Sequence, residues 1–263
     1  MKARSCVLTI AGSDSGAGAG IQADARTIQA LGGYAATAVT AITAQNTQGV
    51  TTWRAVAPEL ITAQITAVLD DLPVGAIKTG LIPGAAAVRA IATTLRRQRR
   101  VPLVIDPVLG STSGTRFLSA AGLQALKKEL LPLAALVTPN WPEAAVLLGR
   151  AVDDFAGAEA AGQALAVEFG CAVLVKGGHA PGGKCRDCLV TADGRVRWFE
   201  SERVPTRNTH GTGCVLSAAI ACGLARGETV ERAVTRAHAF LQKSLRAGRS
   251  VRWGRGAGPA FAG

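Results

Sequence analysis

The sequence predicts an α/β protein of three layers (αβα), with a mainly parallel central sheet between helices. Three observations carry this. Short apolar runs alternate with amphipathic stretches along the chain, as in successive β–α units. Chemistry-bearing residues follow the apolar runs, at 12–20, 78–81, 106–108, 138–143, 176–179 and 209–214. Open parallel sheets bind ligands at those strand ends. Finally, 48% of the 263 residues are hydrophobic, with much Ala and Gly, enough for one large core and closely packed helices. No Pro/Ser-rich linker or charge block divides the chain, so a single domain over 1–263 is expected.

In order, "CVLTIAG" (6–12) reads as a strand and "AGIQADARTIQALG" (19–32) as a helix stopped by glycine. "YAATAVTAI" (34–42) is a second strand. "APELITAQITAVLDDL" (57–72) is a helix with Ile61, Ile65, Val68 and Leu69 on one face. "VGAIKTGL" (74–81) is a strand, "GAAAVRAIATTLRRQ" (84–98) a helix and "VPLVIDPV" (101–108) a buried strand before a loop. "SAAGLQALKKELLP" (119–132) has a Ser start and a Pro stop for a helix. "AALVTPN" (134–140) is a strand, and "WPEAAVLLG" (141–149) and "AGAEAAGQALAVEFG" (156–170) are helices. "CAVLVKGGH" (171–179) is a strand, and "CLVTADGRVRWFES" (188–201) a hairpin turning at Asp193-Gly194. "HGTGCVLSAAIACGLARG" (210–227) and "TVERAVTRAHAFLQKSLRAG" (229–248) are helices.

Composition narrows the function classes. The net charge is +11, with clusters at "LRRQRR" (95–100) and in the tail. Aromatic residues are only 4%, a poor supply of stacking platforms, so nucleic acid is not the expected partner. A solvated basic surface, or one that handles phosphate-bearing small ligands, fits better. No apolar run approaches the roughly 20 residues of a membrane span, and the short N-terminal run reads as a strand. Six cysteines fit a reduced cytoplasmic protein. Cys185 and Cys188 form a CxxC with no second ligand pair at zinc spacing, so two hairpin cysteines is the plainer reading.

Four constellations stand at strand ends. "AGSDSGAGAGIQAD" (11–24) is neither a Walker A nor a GxGxxG loop. Its glycines allow close backbone approach to a ligand, and Asp24, about one turn past Gly20, could face it; a tight turn with Asp24 exposed is the alternative. In "NTHGTGC" (208–214), Gly211, Thr212 and Gly213 precede an apolar helix and offer N–H groups to an anion. Cys214 at that helix start is placed to have a lowered thiol pKa, against the alternative of a small buried hydrophobe. Asp106 of "VIDPV", with Asn140 and Glu143 of "TPNWPEA", supplies oxygen ligands suited to Mg²⁺; Glu143 could equally be a first-turn helix carboxylate. Lys176 ends an apolar strand and needs a phosphate or a carboxylate partner.

Together these residues resemble the ribokinase superfamily, and within it the hydroxymethylpyrimidine/phosphomethylpyrimidine kinase family of thiamin biosynthesis. The matching stretches are "TIAGSDSGAGAGIQAD", "TAITAQNTQGV", "KTGL", "IDPV", "TPNWPEA", "KGGH" and "NTHGTGC" with "LSAAIA" behind it, in order along nearly the whole chain. The resemblance implies a ribokinase-like fold, with ATP and Mg²⁺ as co-substrate and metal. It implies phosphorylation of the aminopyrimidine's hydroxymethyl group, and then of the monophosphate. By position it assigns Gly12, Asp24, Gln45, Leu81 and Val108 to the pyrimidine. It assigns Asn140, Lys176 and Thr209 to ATP, Asp106 and Glu143 to the metal region, and Gly211 to Gly213 to an anion hole. Cys214 matches the family's proposed base, where most other ribokinase relatives have Asp. A cytoplasmic homodimer without an appended domain is the implied form. Leu81 stands where the family often has Met, Thr79 where it often has Ile, and the tail keeps only part of a "GHGIGP"-like ending. Pyridoxal kinases of the same family are the nearest rival; a non-catalytic pyrimidine sensor and a nucleic-acid binder are the readings from other classes.

Overall fold

The computed structural model describes residues 5–98, 101–110, 117–178, 180 and 182–260. Two arginines of "LRRQRR" (99 and 100), the histidine of "KGGH" (179) and the last three tail residues lie outside the described residues. The elements are β1 Cys6–Asp14, α1 Gly20–Ala30, β2 Tyr34–Asn46, β3 Gly49–Ala55, α2 Pro58–Asp71, β4 Val74–Thr79, α3 Gly84–Leu95 and β5 Leu103–Ile105. They continue with α4 Ala120–Ala125, β6 Leu136–Val137, α5 Trp141–Leu148, α6 Phe155–Phe169, β7 Ala172–Val175, β8 Lys184–Val190, β9 Val196–Glu202, α7 Thr212–Leu224 and α8 Val230–Gly248.

Among the described residues nine strands form one sheet, in the order β3-β2-β1-β4-β5-β6-β7-β8-β9. The pairs from β2 to β7 are parallel, and the outer pairs β2–β3, β7–β8 and β8–β9 are antiparallel. Alternate residues of the central strands feed two cores, as a period of two requires. Leu8, Ile10, Ile77, Ile105 and Val173 pack with Ile61 of α2, Val88 of α3 and Leu165 of α6. Val7, Ala76, Val104, Leu136 and Leu174 pack on the other side with Ile28 of α1, Ile220 of α7 and Val234 of α8. Each such buried aliphatic side chain contributes about 1.5–3 kcal/mol relative to exposure. β1 has parallel neighbours on both sides, β2 and β4. Crossovers diverge there, so a crevice opens beyond its carboxyl end.

The structure departs from the sequence reading in three places. β3 is an extra strand, and β2 runs on to Asn46 to pair with it. β3 is mostly solvent-exposed, so it carries little of the alternation that marks a strand. The helix expected over 119–132 starts at its Ser119 cap but continues after Ala125 as a π turn, Leu126–Leu130, and a 3₁₀ turn, Leu131–Leu133. β8 begins at Lys184, four residues before the expected hairpin strand. Among the described residues no helix is long and apolar enough to cross a membrane.

Candidate active site

The strand ends surround a cavity of about 620 Å³. Gly12 near the end of β1, Gln45 on β2, and Leu81 and Val108 after β4 and β5 line it. Asn140 and Lys176, after β6 and β7, line it too, with Thr209, Asp106 and Glu143. Gly211 to Cys214 complete the lining, with Gly211 against Gly18 and Gly213 against Lys176 and Asp106. Every residue proposed for the site therefore borders this cavity, except Asp24.

Asp24 is a correction. The family resemblance directs it toward the pyrimidine, and its place one turn past Gly20 allows that or an exposed turn position. Instead it points into the protein, fully buried, with Lys78 Nζ 2.7 Å from Oδ2 and Thr9 Oγ1 donating to the same oxygen at 2.5 Å. Its partner Lys78 is the residue that borders the cavity. Burial pulls the Lys78 ammonium down, but Asp24 and the other acidic neighbours more than restore it, whereas burial raises the Asp24 carboxyl against the opposing pull of Lys78 and Thr9.

The Gly211 part of the lining is built by contact between the two glycine loops. Gly211 has φ +79, and a Cβ there would lie 2.0 Å from the Gly18 carbonyl oxygen. No other residue fits that position. Gly20, at φ +59, is pressed equally closely against Gly12 O. Asp14 holds the opening loop by accepting the N–H groups of Gly16 (2.8 Å), Gly18 (3.1 Å) and Ala19 (2.9 Å). Burial acts to raise this carboxyl, but His210 and those backbone donors hold it below the usual range. The first turn of α7 opens on the cavity, while every residue from Val215 to Leu224 is buried. The helix dipole and its free N–H groups thus face the cavity, as an anion site requires.

Cys214 is the second correction. Its place at a helix start predicts a lowered pKa, but burial pushes the thiol up to about 11, against the smaller opposing effects of Lys78 and the Gly20 backbone N–H. Desolvating a thiolate outweighs the charge and the hydrogen bond that favour it.

Lys176 follows β7 and reaches Asp106 Oδ1 at 2.7 Å and Glu143 Oε2 at 4.0 Å. Thr138 donates to the same Asp106 oxygen at 3.1 Å. Burial acts to raise Asp106, but Lys176 and Lys78 hold it below the usual carboxylate range. Burial, with some help from Asp106, pushes Glu143 up to about 7, and Lys176 offsets only part of this. A Cβ at Gly213 would lie 3.2 Å from Lys176 Nζ and 3.3 Å from Asp106 Oδ2, so this pair sits directly against the anion loop. Asn140 and Glu143 also form a capping box at the start of α5, each side chain accepting the other's backbone N–H at 2.8 Å. The plainer, helix-terminus reading of Glu143 thus holds alongside its place at the cavity.

The site also contains three residues that the sequence reading gave no role: Lys78, Asp14 and His210. Lys78 carries the same signal as Lys176, a cation ending an apolar strand. His210 lies inside "NTHGTGC" and Asp14 inside "GSDSG", both stretches already marked by their glycines. Cys185 and Cys188 fall on opposite faces of β8, three residues apart, with Cys185 at the cavity and Cys188 in the core. They cannot share an ion from there. Among the described residues no group of three or more His, Cys, Asp and Glu side chains is arranged to hold a metal.

Comparison with known proteins agrees with this geometry. Residues 14–261 match the family model described as phosphomethylpyrimidine kinase. A hydroxymethylpyrimidine/phosphomethylpyrimidine kinase of Rhizobium meliloti is 50% identical over 256 residues, 96% of this chain and 94% of that protein. The crystal structure of Clostridium difficile phosphomethylpyrimidine kinase superposes with a TM-score of 0.80 at 36% identity, covering 91% of this chain and 99% of that one. A Bacillus subtilis pyridoxal kinase, solved as an ADP complex, superposes with a TM-score of 0.86 at 33% identity, covering 93% and 92%. The ribokinase-like sheet, the strand-end cavity and these likenesses coincide over nearly the whole length, and the chain belongs to the phosphomethylpyrimidine kinase family.

Proposed function

We propose that this chain, as a single domain, transfers the γ-phosphoryl group of ATP to the hydroxymethyl group of 4-amino-5-hydroxymethyl-2-methylpyrimidine. It then phosphorylates the resulting monophosphate to the diphosphate, in thiamine biosynthesis. One observation supports this most: a single cavity is lined by Gln45, Leu81 and Val108, by Asn140, Lys176 and Thr209, and by Cys214 with the glycine loop.

Phosphoryl transfer needs alignment and charge neutralisation more than covalent chemistry. In this reading Gly12, Gln45, Leu81 and Val108 hold the ring, with its hydroxymethyl group toward Cys214. The N–H groups of Gly211 to Gly213 and the Lys176 ammonium meet the transferring phosphoryl oxygens. Cys214 Sγ accepts the hydroxyl proton as thiolate. In the second step the nucleophile is already an anionic phosphate and needs less help from a base. The family implies Mg²⁺, and the residues present fit it. Asp106 and Glu143 are two hard oxygen donors at one edge of the cavity, and a carboxyl raised by burial beside a carboxylate is one that a cation would ionise. They would hold the ion, which supplies phosphate charge neutralisation when bound.

The test is purified protein with ATP, Mg²⁺ and the hydroxymethylpyrimidine, with mono- and diphosphate products separated. Both products are expected; no ATP turnover with this alcohol overturns the reading. Likeness to the Bacillus subtilis pyridoxal kinase supports a second reading, pyridoxal as the alcohol. Higher kcat/KM for pyridoxal than for the pyrimidine would select it. The same proposal makes the protein a cytoplasmic homodimer. Six free cysteines fit a reducing compartment, and a partner would cover Ile42, 61% exposed on β2 opposite Arg54 of the edge strand β3.

A further inference from the structure

His210 stands where the two glycine loops meet the cavity. Its Nε2 lies 3.0 Å from Asp14 Oδ2 and 3.0 Å from Nε2 of the Gln45 amide. The ring packs against Gly18, where a Cβ would lie 2.3 Å from its Cδ2. Its backbone is fixed on both sides, donating to Gly258 O at 3.0 Å and accepting from Ala260 N at 2.8 Å.

The partners of this ring decide its protonation. Asp14 is an ionised carboxylate surrounded by N–H donors, and it offers only acceptors. His210 Nε2 therefore carries its one hydrogen, whether the ring is neutral or charged, and a second acceptor at the same distance shares that hydrogen with Asp14 in a three-centre bond. A nitrogen that carries a hydrogen cannot face an amide –NH₂. On the other side of Gln45, Thr43 Oγ1 lies 3.3 Å from Oε1 and gives its own proton to Ser13 O at 2.9 Å. That hydroxyl has lone pairs left to offer. Both neighbours ask for the same amide orientation, oxygen toward His210 and nitrogen toward Thr43. Amide orientation is settled by such networks.

We propose that His210 is a positioning residue: anchored by Asp14, it fixes the Gln45 side-chain amide with oxygen toward the imidazole and nitrogen toward Thr43, and so sets the hydrogen-bond pattern shown to the acceptor substrate. In that orientation Gln45 keeps one N–H and one oxygen lone pair for a ligand. A ring nitrogen beside an exocyclic amine matches this donor–acceptor pair. The proposal rests on reading Gln45 as an acceptor-side residue.

Steady-state kinetics with the hydroxymethylpyrimidine and ATP test it, in wild type, Gln45→Ala, His210→Phe, His210→Gln and the Gln45→Ala/His210→Phe double variant. His210→Phe should raise the pyrimidine KM about tenfold, the scale of one buried hydrogen bond, and leave the ATP KM within about twofold. His210→Gln, whose amide can donate from near the Nε2 position, should recover most of the loss. The double variant should be no worse than Gln45→Ala alone. Equal shifts in both KM values, or multiplied effects in the double variant, overturn the proposal. An unchanged pyrimidine KM in Gln45→Ala removes the acceptor-side reading and the proposal with it. A raised KM in Gln45→Ala with none in His210→Phe removes the His210 proposal alone. Should His210→Phe fail to fold, Thr43→Val deletes the other fixing partner and must raise the pyrimidine KM selectively; no change there overturns the proposal.

Discussion

Two lysines stand at the ends of strands of the same sheet, and each holds an aspartate at 2.7 Å. In one pair, Lys78 and Asp24, both side chains are 0% exposed; in the other, Lys176 and Asp106 are 13% and 3% exposed. In the first pair only Lys78 borders the cavity, and Asp24 is buried behind it, with Lys78 and Thr9 as its hydrogen-bond partners. The second borders the cavity beside the glycine loop, where an incoming phosphate can take over part of what Asp106 does for Lys176. Two pairs of identical chemistry thus differ in what they can do, and access to the cavity is the cause. Cys214 feels both lysines, which makes it the place to begin testing the contrast.

The largest effect is expected there. Cys214→Ala should slow the first phosphorylation by about 10²–10⁴-fold, the range of general base catalysis, and the second by much less. Because the thiol is held up at about 11, the wild-type first step should accelerate as pH rises above neutrality, since the thiolate fraction grows. Equal losses in both steps, or a flat pH profile, would show that Sγ does not take the proton.

Breaking the buried pair comes next. Asp24→Ala leaves a buried ammonium without its counter-charge and should destabilise the fold by roughly 3–5 kcal/mol, read as a lower urea midpoint. A stable variant with only a raised pyrimidine KM would return Asp24 to the ligand. The open pair should respond in the opposite way. Lys176→Met should lower kcat/KM for ATP by about 10²–10³-fold, as loss of one preorganised phosphoryl contact does, while destabilising less than Asp24→Ala. If both variants lose stability and activity alike, the contrast between the pairs fails.

The smallest effect concerns Glu143. Its folded pKa of about 7 lies above its ordinary value, so the folded state holds the proton more tightly. Its stabilising contribution is complete below the unfolded pKa and is lost as pH rises through about 7. Glu143→Gln should flatten that part of the stability–pH curve, measured as Tm between pH 5 and 8. An unchanged slope would mean that another group titrates there.

Much of the site was legible because parallel strands deliver their chemistry at one edge. Gly12, Leu81, Val108, Asn140 and Lys176 all follow apolar runs, and they meet at the cavity as that rule requires. Asp24 misled for a specific reason. Helical spacing places it one turn past the start of α1, but does not say on which side its carboxylate finds a cation. Lys78, on β4 next to β1 in the sheet, decides that. Cys214 misled in the same way: a helix start is visible in sequence, and the depth to which it is buried is not.

The sequence by itself determined the alternation of strands and helices, the three-layer arrangement and the family to which the chain belongs. These follow from local periodicity and from motifs whose spacing survives in one dimension. Only the tertiary structure decided which charges face the cavity, that Gly211 closes against Gly18, and that one histidine joins Asp14 to Gln45. Those contacts link residues from about thirty to almost two hundred positions apart, and electrostatics and hydrogen bonding at that range depend on burial and distance, which no local pattern encodes.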